Sequence, residues 1–482
     1  MALFTVFFLG LITLLSVMKY RQHLIFMVLL LCWAGISCNS DNKPRKLKFN
    51  SDAHVKAELK FEQGKILDPL SVELEPDESY ALYLPEGYLT GYTWPTVLFF
   101  DPKGQGHKPL KLYKDLADDF GFILIGSNFS KNGKPMEQIL KHINSLKHDL
   151  PAGIKIDPFR IFLIGFSGGA RVAVAEAMVN SDVAGVVGCG AGFPQLPGGL
   201  EPSFNYMAMV GRQDFNYGEF AVLDKELSAR GSNHLLIEFE GKHAWPNKKQ
   251  MLEAFKWMTA YSYSQREAID MTLMDSLYKS DAKQLLNIEN SENLRSVVQF
   301  YKKMIVLYNG RAKIEIQKKR LEMLTISSAY RAHEAELKTM LSEEMKLRNK
   351  YAQQLSKKDN EWWNKEVVNI RTEIENQSNV MVKNSRQRLL AYLSIATFMH
   401  IDAALKKGLL QQAHKLLYIL KLVDPQNPDY YYLSAKLALK QGKKERATEL
   451  LKEAVKYGFD DWETVNGEHV FDPIRSYITT MQ

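Results

Sequence analysis

Hydrophobic and polar positions along the chain fall into two regimes that meet near Ser262. In the first, short runs alternate with period two. Val55–Phe61 and Tyr80–Leu84 both show this, which predicts strands with one buried face. From Thr96 the strands become continuously apolar, as strands covered on both faces are: Thr96–Phe100, Phe122–Ile125, Arg160–Ile164, Ala184–Val187, Tyr206–Val210 and His234–Glu238. Between them lie helical stretches near Leu110–Phe120, Met136–His148, Gly169–Val179, Glu219–Ala229 and Lys248–Tyr261. Strands alternating with helices predict an α/β fold, a doubly wound and mostly parallel sheet that binds ligands outside the carboxyl ends of its strands.

Beyond Ser262 the pattern is helical throughout. Residues 263–388 are rich in Lys, Glu, Leu and Met, and Arg311–Lys357 predicts one long amphipathic helix. Its heptads are irregular, so packing against the rest of the chain is expected over a coiled-coil partner. Near the end the sequence repeats: Gly408, Ala413 and Leu417 recur 34 residues later as Gly442, Ala447 and Leu451. The period and the small residues resemble the tetratricopeptide repeat. The first unit has a closing proline, Pro425, where the second has Phe459. The opening aromatic is Tyr431 in the second unit and Thr397 in the first. Two units are fewer than a freestanding solenoid uses, so upstream helices are expected to complete the stack.

The N-terminus carries an address. Lys19, Arg21 and His23 precede the apolar run Leu24–Ser37, which leads to Cys38 and then to the polar stretch Asn39–Lys46. The run has the length of a signal-peptide core and is short for a membrane span. With Gly35 and Ser37 before the cysteine, it resembles the lipobox of bacterial lipoproteins, which implies a diacylglycerol on Cys38 and a place in the cell envelope, periplasmic or on the surface. Residues 1–17 are apolar and precede an otherwise complete signal, so the translated start is expected at Met18; a transmembrane helix over residues 1–18 is the other reading.

Composition narrows the rest. With 46% hydrophobic and 24% charged residues among 482, the chain is globular and long enough for several domains. A net charge of +7 without a Lys/Arg stripe interleaved with aromatics argues against nucleic acid. Of the three cysteines, only Cys189 lies beyond the N-terminal segment, so the body has neither a disulfide framework nor cysteine-based metal spacing. No phosphate-cradling loop or metal constellation is present in the sequence, and no cofactor is expected.

The chemistry concentrates at Gly165-Phe-Ser-Gly-Gly169. A Gly-x-Ser-x-Gly segment that ends a strand and opens a helix puts its serine on a sharp turn, with free helix N–H groups aimed at a reacting oxygen. On this motif, and on the order of acid and histidine that follows, Tyr80–Tyr261 resembles the α/β-hydrolase superfamily, in particular lidless esterases of the polyhydroxyalkanoate-depolymerase and feruloyl-esterase kind. The resemblance implies Ser167 as nucleophile, Asp214 in Gly211-Arg-Gln-Asp214 as acid, and His243 in Glu240-Gly-Lys-His243 as base. It implies oxyanion donors from the backbone of Gly168 and of the loop after the first parallel strand. That loop is Asp101-Pro-Lys-Gly104 where many members have His-Gly-Gly, and since Pro102 has no N–H, Lys103 is expected to donate, with Gly104 as substitute. Trp245, Phe193 and Phe215 are candidate pocket walls, with ordinary packing as the other reading. Phe166 and Cys189 are expected in the core, and Trp362 and Trp363 in helix packing.

The sequence thus divides into a signal with lipobox (1–38), a polar linker with leading strands (39–79), an α/β-hydrolase domain (80–262), a helical region (263–388) and tetratricopeptide-like repeats (389–482). The first expectation is a lipid-anchored serine hydrolase acting on an ester, with a peptidase left open and a protein partner for the repeats. The other is a non-catalytic envelope lipoprotein that uses the hydrolase fold and the repeats for recognition.

Overall fold

The strand around Thr96–Phe100 lies near the middle of an eight-stranded sheet in a computed structural model of the chain. The structure describes residues 61–150, 154–194, 202, 204–264, 271–289 and 293–481. The signal, Cys38, Met18 and most of the expected strand at 55–61 lie outside the described residues.

The strands are β1 (Ile66–Val72), β2 (Glu75–Tyr83), β3 (Trp94–Phe100), β4 (Ile123–Ser127), β5 (Ile156–Phe166), β6 (Val183–Cys189), β7 (Asn205–Gly211) and β8 (His234–Phe239). Their spatial order is β1-β2-β4-β3-β5-β6-β7-β8. β1 and β2 pair antiparallel, β2 pairs antiparallel with β4, and every later pair is parallel. An antiparallel start, one crossover and a long parallel run make this the α/β-hydrolase fold. β1 escapes the alternation rule because Asp68-Pro69 interrupts it. A proline is tolerated there because β1 is the edge strand, with ladder partners on one side only.

Helices cover both faces. On one, α1 (His107–Phe120) and α5 (Lys248–Ser264) pack with Phe99, Phe122 and Phe162. On the other, α2 (Met136–Asp149), α3 (Gly168–Val179) and α4 (Tyr217–Ala229) enclose Leu98, Ile125 and Leu163. The helices that follow do not stand apart from this core. α6 (Met271–Ile288) and α7 (Leu294–Tyr308) extend the first face with Leu273, Met274, Met304 and Tyr308. A buried polar network ties them to α5: Lys256 reaches Asp281 at 2.7 Å, the Tyr308 hydroxyl donates to Asp281 at 2.8 Å, and Lys303 reaches Glu253 at 2.8 Å.

The long helix expected over residues 311–357 is two helices, α8 (Glu315–Ile326) and α9 (Ser328–Gln354). Ser327 divides them. Its backbone is extended, and its hydroxyl accepts the N–H of Tyr330, which caps α9. Leu337 and Met340 of α9 enter the second face of the sheet. α10 (Asn360–Asn376), α11 (Val380–Lys406), α12 (Leu410–Val423), α13 (Pro428–Lys440) and α14 (Lys444–Lys456) build a third core around the fully buried Trp363. Gly408 follows α11 and Gly442 follows α13, at φ +72° and +76°, and Ala413 and Ala447 are both fully buried one turn into α12 and α14. The short α15 (Trp462–Gly467), a 3-10 turn and α16 (Arg475–Ile478) close the chain.

Candidate active site

Ser167 stands between β5 and α3 at φ +53°, alone with a positive φ among the described non-glycine residues. This is strained backbone of the kind a nucleophile elbow imposes. The flanking glycines follow from sterics: a Cβ on Gly165 would meet the Gly169 carbonyl oxygen at 2.1 Å, and one on Gly169 would meet that of Phe100 at 1.9 Å. The Ser167 N–H donates to the Cys189 carbonyl at 2.8 Å, which pins the turn to β6. Gly168 opens α3, so its N–H has no intrahelical acceptor, as a candidate oxyanion donor requires.

The candidate acid lies on the turn after β7. Asp214 is 1% exposed, and its Oδ1 also accepts the Asn216 N–H at 2.8 Å. The turn is fixed to the next loop by Gln213 N–H donating to Gly241 at 2.9 Å and Arg212 N–H donating to Phe239 at 2.8 Å. His243 follows β8. Its Nδ1 lies 2.9 Å from each oxygen of Asp214, and its Nε2 lies 3.0 Å from Ser167 Oγ. With Asp214 ionised, Nδ1 carries the proton and Nε2 is the acceptor facing the hydroxyl. Phe215 and Phe166 flank the imidazole, with ring centres 4.2 and 4.7 Å from it. The three residues that the motif order singles out thus form one relay.

Trp245 is packed rather than a free wall. It lies against Phe99, Tyr113 and Phe166. Its indole Nε1 donates to Asp101 Oδ2 at 2.8 Å. Phe193 and Phe215 line one cavity of about 1070 Å³ between α4 and α9, with Leu223, Leu337 and Leu341. Cys189 is fully buried, and burial pushes its thiol well above the ordinary range, which suits a core residue.

The expected second oxyanion donor is corrected. Lys103 N–H donates to Asp101 Oδ1 at 2.9 Å, and Gly104 N–H donates to the Asp101 carbonyl at 3.0 Å. Asp101-Pro-Lys-Gly is a self-bonded turn, and a buried aspartate has captured the donors that a glycine-rich loop would leave free. Asn132 comes to this loop through the fold, outside any motif. Its N–H donates to Pro102 O at 2.9 Å, and Lys131 pairs with Lys103 across an isolated bridge. This brings the Asn132 side-chain amide onto Gly168, close enough that a Cβ there would meet Asn132 Oδ1 at 1.8 Å. An asparagine in a Lys-Asn-Gly-Lys turn gives no such signal in one dimension.

The C-terminal segment around α15 reaches the Lys103 and Lys131 loops. Asp460 receives Lys103 at 3.3 Å and Lys108 at 3.2 Å, and Glu463 receives Lys131 at 3.2 Å. Burial opposes the charge on Lys103, but Asp460, Asp429 and Asp461 outweigh it and raise its pKa. Among the described residues, no group of three or more His, Cys, Asp or Glu side chains is arranged to hold a metal ion.

No family model matches the chain, and no curated protein matches it. Among solved structures, the chain is similar to an S-formylglutathione hydrolase from Staphylococcus aureus, with 16% identity and a TM-score of 0.32 over 38% of this chain and 90% of that one. It is similar to esterase B from Lactobacillus rhamnosis, with 16% identity and a TM-score of 0.35 over 42% of this chain and 88% of that one. A hyperthermophilic esterase from Pyrobaculum calidifontis aligns with 14% identity and a TM-score of 0.33, over 43% of this chain and 88% of that one.

Proposed function

We propose that this chain is a serine hydrolase that cleaves carboxylic esters through an acyl-enzyme on Ser167, held at a bacterial envelope by a lipid on Cys38. The observation that carries the catalytic reading is the unbroken relay from Ser167 Oγ through His243 to Asp214, at 3.0 and 2.9 Å, on a strained elbow. In the reaction, Ser167 Oγ attacks the carbonyl carbon while His243 Nε2 takes its proton. The tetrahedral oxyanion rests on the Gly168 N–H and on the Asn132 amide, turned so that Nδ2 faces the site. His243 then gives the proton to the leaving alcohol. Water repeats the sequence on the acyl-enzyme and releases the acid. Asp214 stays ionised and holds the imidazole in the tautomer that accepts at Nε2. The lipid anchor rests on the order of basic patch, apolar run and Cys38, and the tetratricopeptide-like pairs would offer their surface to a protein partner.

A second reading is favoured by one observation, the capture of the Lys103 and Gly104 N–H groups by Asp101. In that reading the chain is a recognition lipoprotein without turnover. Labelling of the protein from residue 39 onward with a fluorophosphonate separates the two. Labelling that disappears in Ser167→Ala and weakens strongly in His243→Ala is the expected result. A folded protein that stays unlabelled would sink the hydrolase reading and leave the binding one.

A further inference from the structure

Two arginines of the helical tail end on the backbone of the loop that carries the acid. Arg388, on α11 and 1% exposed, donates from Nη1 to the Arg212 carbonyl at 2.7 Å. Arg348, on α9, donates from Nη2 to the Phe215 carbonyl at 2.6 Å. The two accepting carbonyls bracket Asp214. Glu344, 3% exposed, lies between the arginines. Its Oε2 takes Arg388 Nη2 at 2.6 Å and Nε at 3.0 Å, while its Oε1 takes Arg348 Nη2 at 2.5 Å. The Arg388 guanidinium also covers the Tyr217 ring at 4.7 Å, at the far end of the same loop.

Burying charges in this way is costly, and well-packed apolar side chains hold helices to a sheet as firmly. What the arrangement adds is direction. A guanidinium fixed by a carboxylate presents its remaining N–H groups at one angle. Here those groups fix carbonyls two residues before Asp214 and one residue after it. Phe215, whose carbonyl Arg348 holds, is also the residue whose ring lies 4.2 Å from the His243 imidazole. Displacing this loop by an ångström would move both the carboxylate and the ring away from the histidine.

We propose that Arg348 and Arg388, oriented by Glu344, are positioning residues that set Asp214 and Phe215 against His243, so that the helical tail completes the active site. This rests on the hydrolase reading above. The test uses the chain from residue 39 onward, with Arg388→Met, Arg348→Met and the milder Arg348→Lys. Each is measured for hydrolysis of a p-nitrophenyl ester and for the low-field His243 Nδ1 proton in NMR, assigned by its loss in His243→Ala. The methionine variants are expected to lose about 10- to 100-fold in kcat, with KM changed by less than about threefold. Their Nδ1 proton moves upfield or exchanges with water, and Arg348→Lys recovers part of both. If Arg388→Met fails to fold, the Arg348 pair carries the comparison. Folded variants with wild-type kcat and an unmoved Nδ1 proton would overturn the proposal. A wild type without hydrolysis whose Nδ1 proton still shifts in the variants would instead refute the hydrolase reading and leave the brace standing.

Discussion

The indole of Trp245 donates to the buried carboxylate of Asp101 at 2.8 Å, joining the loop after β8 to the loop after β3. The same carboxylate holds the Lys103 N–H, so one side chain fixes both the histidine loop and the turn beside the nucleophile.

Asp101→Asn keeps the size of that side chain but offers an acceptor at one position only, which turns an amide N–H₂ toward either the indole or the Lys103 N–H. A buried donor left unmatched costs about 1–3 kcal/mol. The unfolding free energy of Asp101→Asn, measured by urea titration, should fall by that amount. Combined with Trp245→Phe, the loss should be clearly smaller than the sum of the two single losses, because the residues share one contact. Strict additivity would show that the strut contributes nothing.

Asn132 carries a separate expectation. If its amide supplies the second oxyanion donor, Asn132→Ala should lower kcat for ester hydrolysis about 10²- to 10³-fold with little change in KM, the usual cost of one missing donor. Asn132→Asp should be worse, since a carboxylate there repels the developing charge. Wild-type kcat in Asn132→Ala would return the role to the backbone of Lys103 or Gly104, after rearrangement of their turn.

The contact between the tail and the mouth of the site should respond to salt. Lys103, Lys108 and Lys131 meet Asp460 and Glu463 through partly exposed pairs, each worth at most about 1 kcal/mol and screened above roughly 0.1 M salt. Raising salt to about 0.5 M, or combining Asp460→Asn with Glu463→Gln, should speed hydrogen exchange in residues 101–108 and 128–134. Exchange in residues 211–217 should not change, because the contacts there are buried. Equal responses in both segments would mean that the tail moves as a single rigid cap.

Much of this was legible in one dimension, for physical reasons. The apolar strands β3 to β8 and the helices between them follow from burial on both sheet faces, which demands uninterrupted hydrophobic runs. The meeting of Ser167, Asp214 and His243 follows because such a sheet brings the loops after its strands together, and residues 167, 214 and 243 fall there. β1 escaped notice because an edge strand tolerates the proline that spoils its pattern. The break at Ser327 was hidden inside a charged helical sequence where a single cap decides the geometry. The oxyanion assignment failed at Asp101, because loop composition does not say which way N–H groups turn. Arg348, Arg388 and Glu344 gave no signal among many charged helix positions, since what distinguishes them is a meeting across more than 130 residues of chain.

The grip on the acid loop also sets when in its making the protein becomes complete. The serine, the aspartate and the histidine all lie before residue 265, but the groups that hold the loop come from residues 344, 348 and 388, and those at the mouth from residues 460 and 463. If Ser167, Asp214 and His243 react as proposed, a nascent or clipped chain ending after α5 would possess all three and lack the contacts that hold the Asp214 loop. On the proposed hydrolase reading, proteolysis between α7 and α9 that frees the helices after it would therefore act as an off-switch, without touching residues 167, 214 or 243.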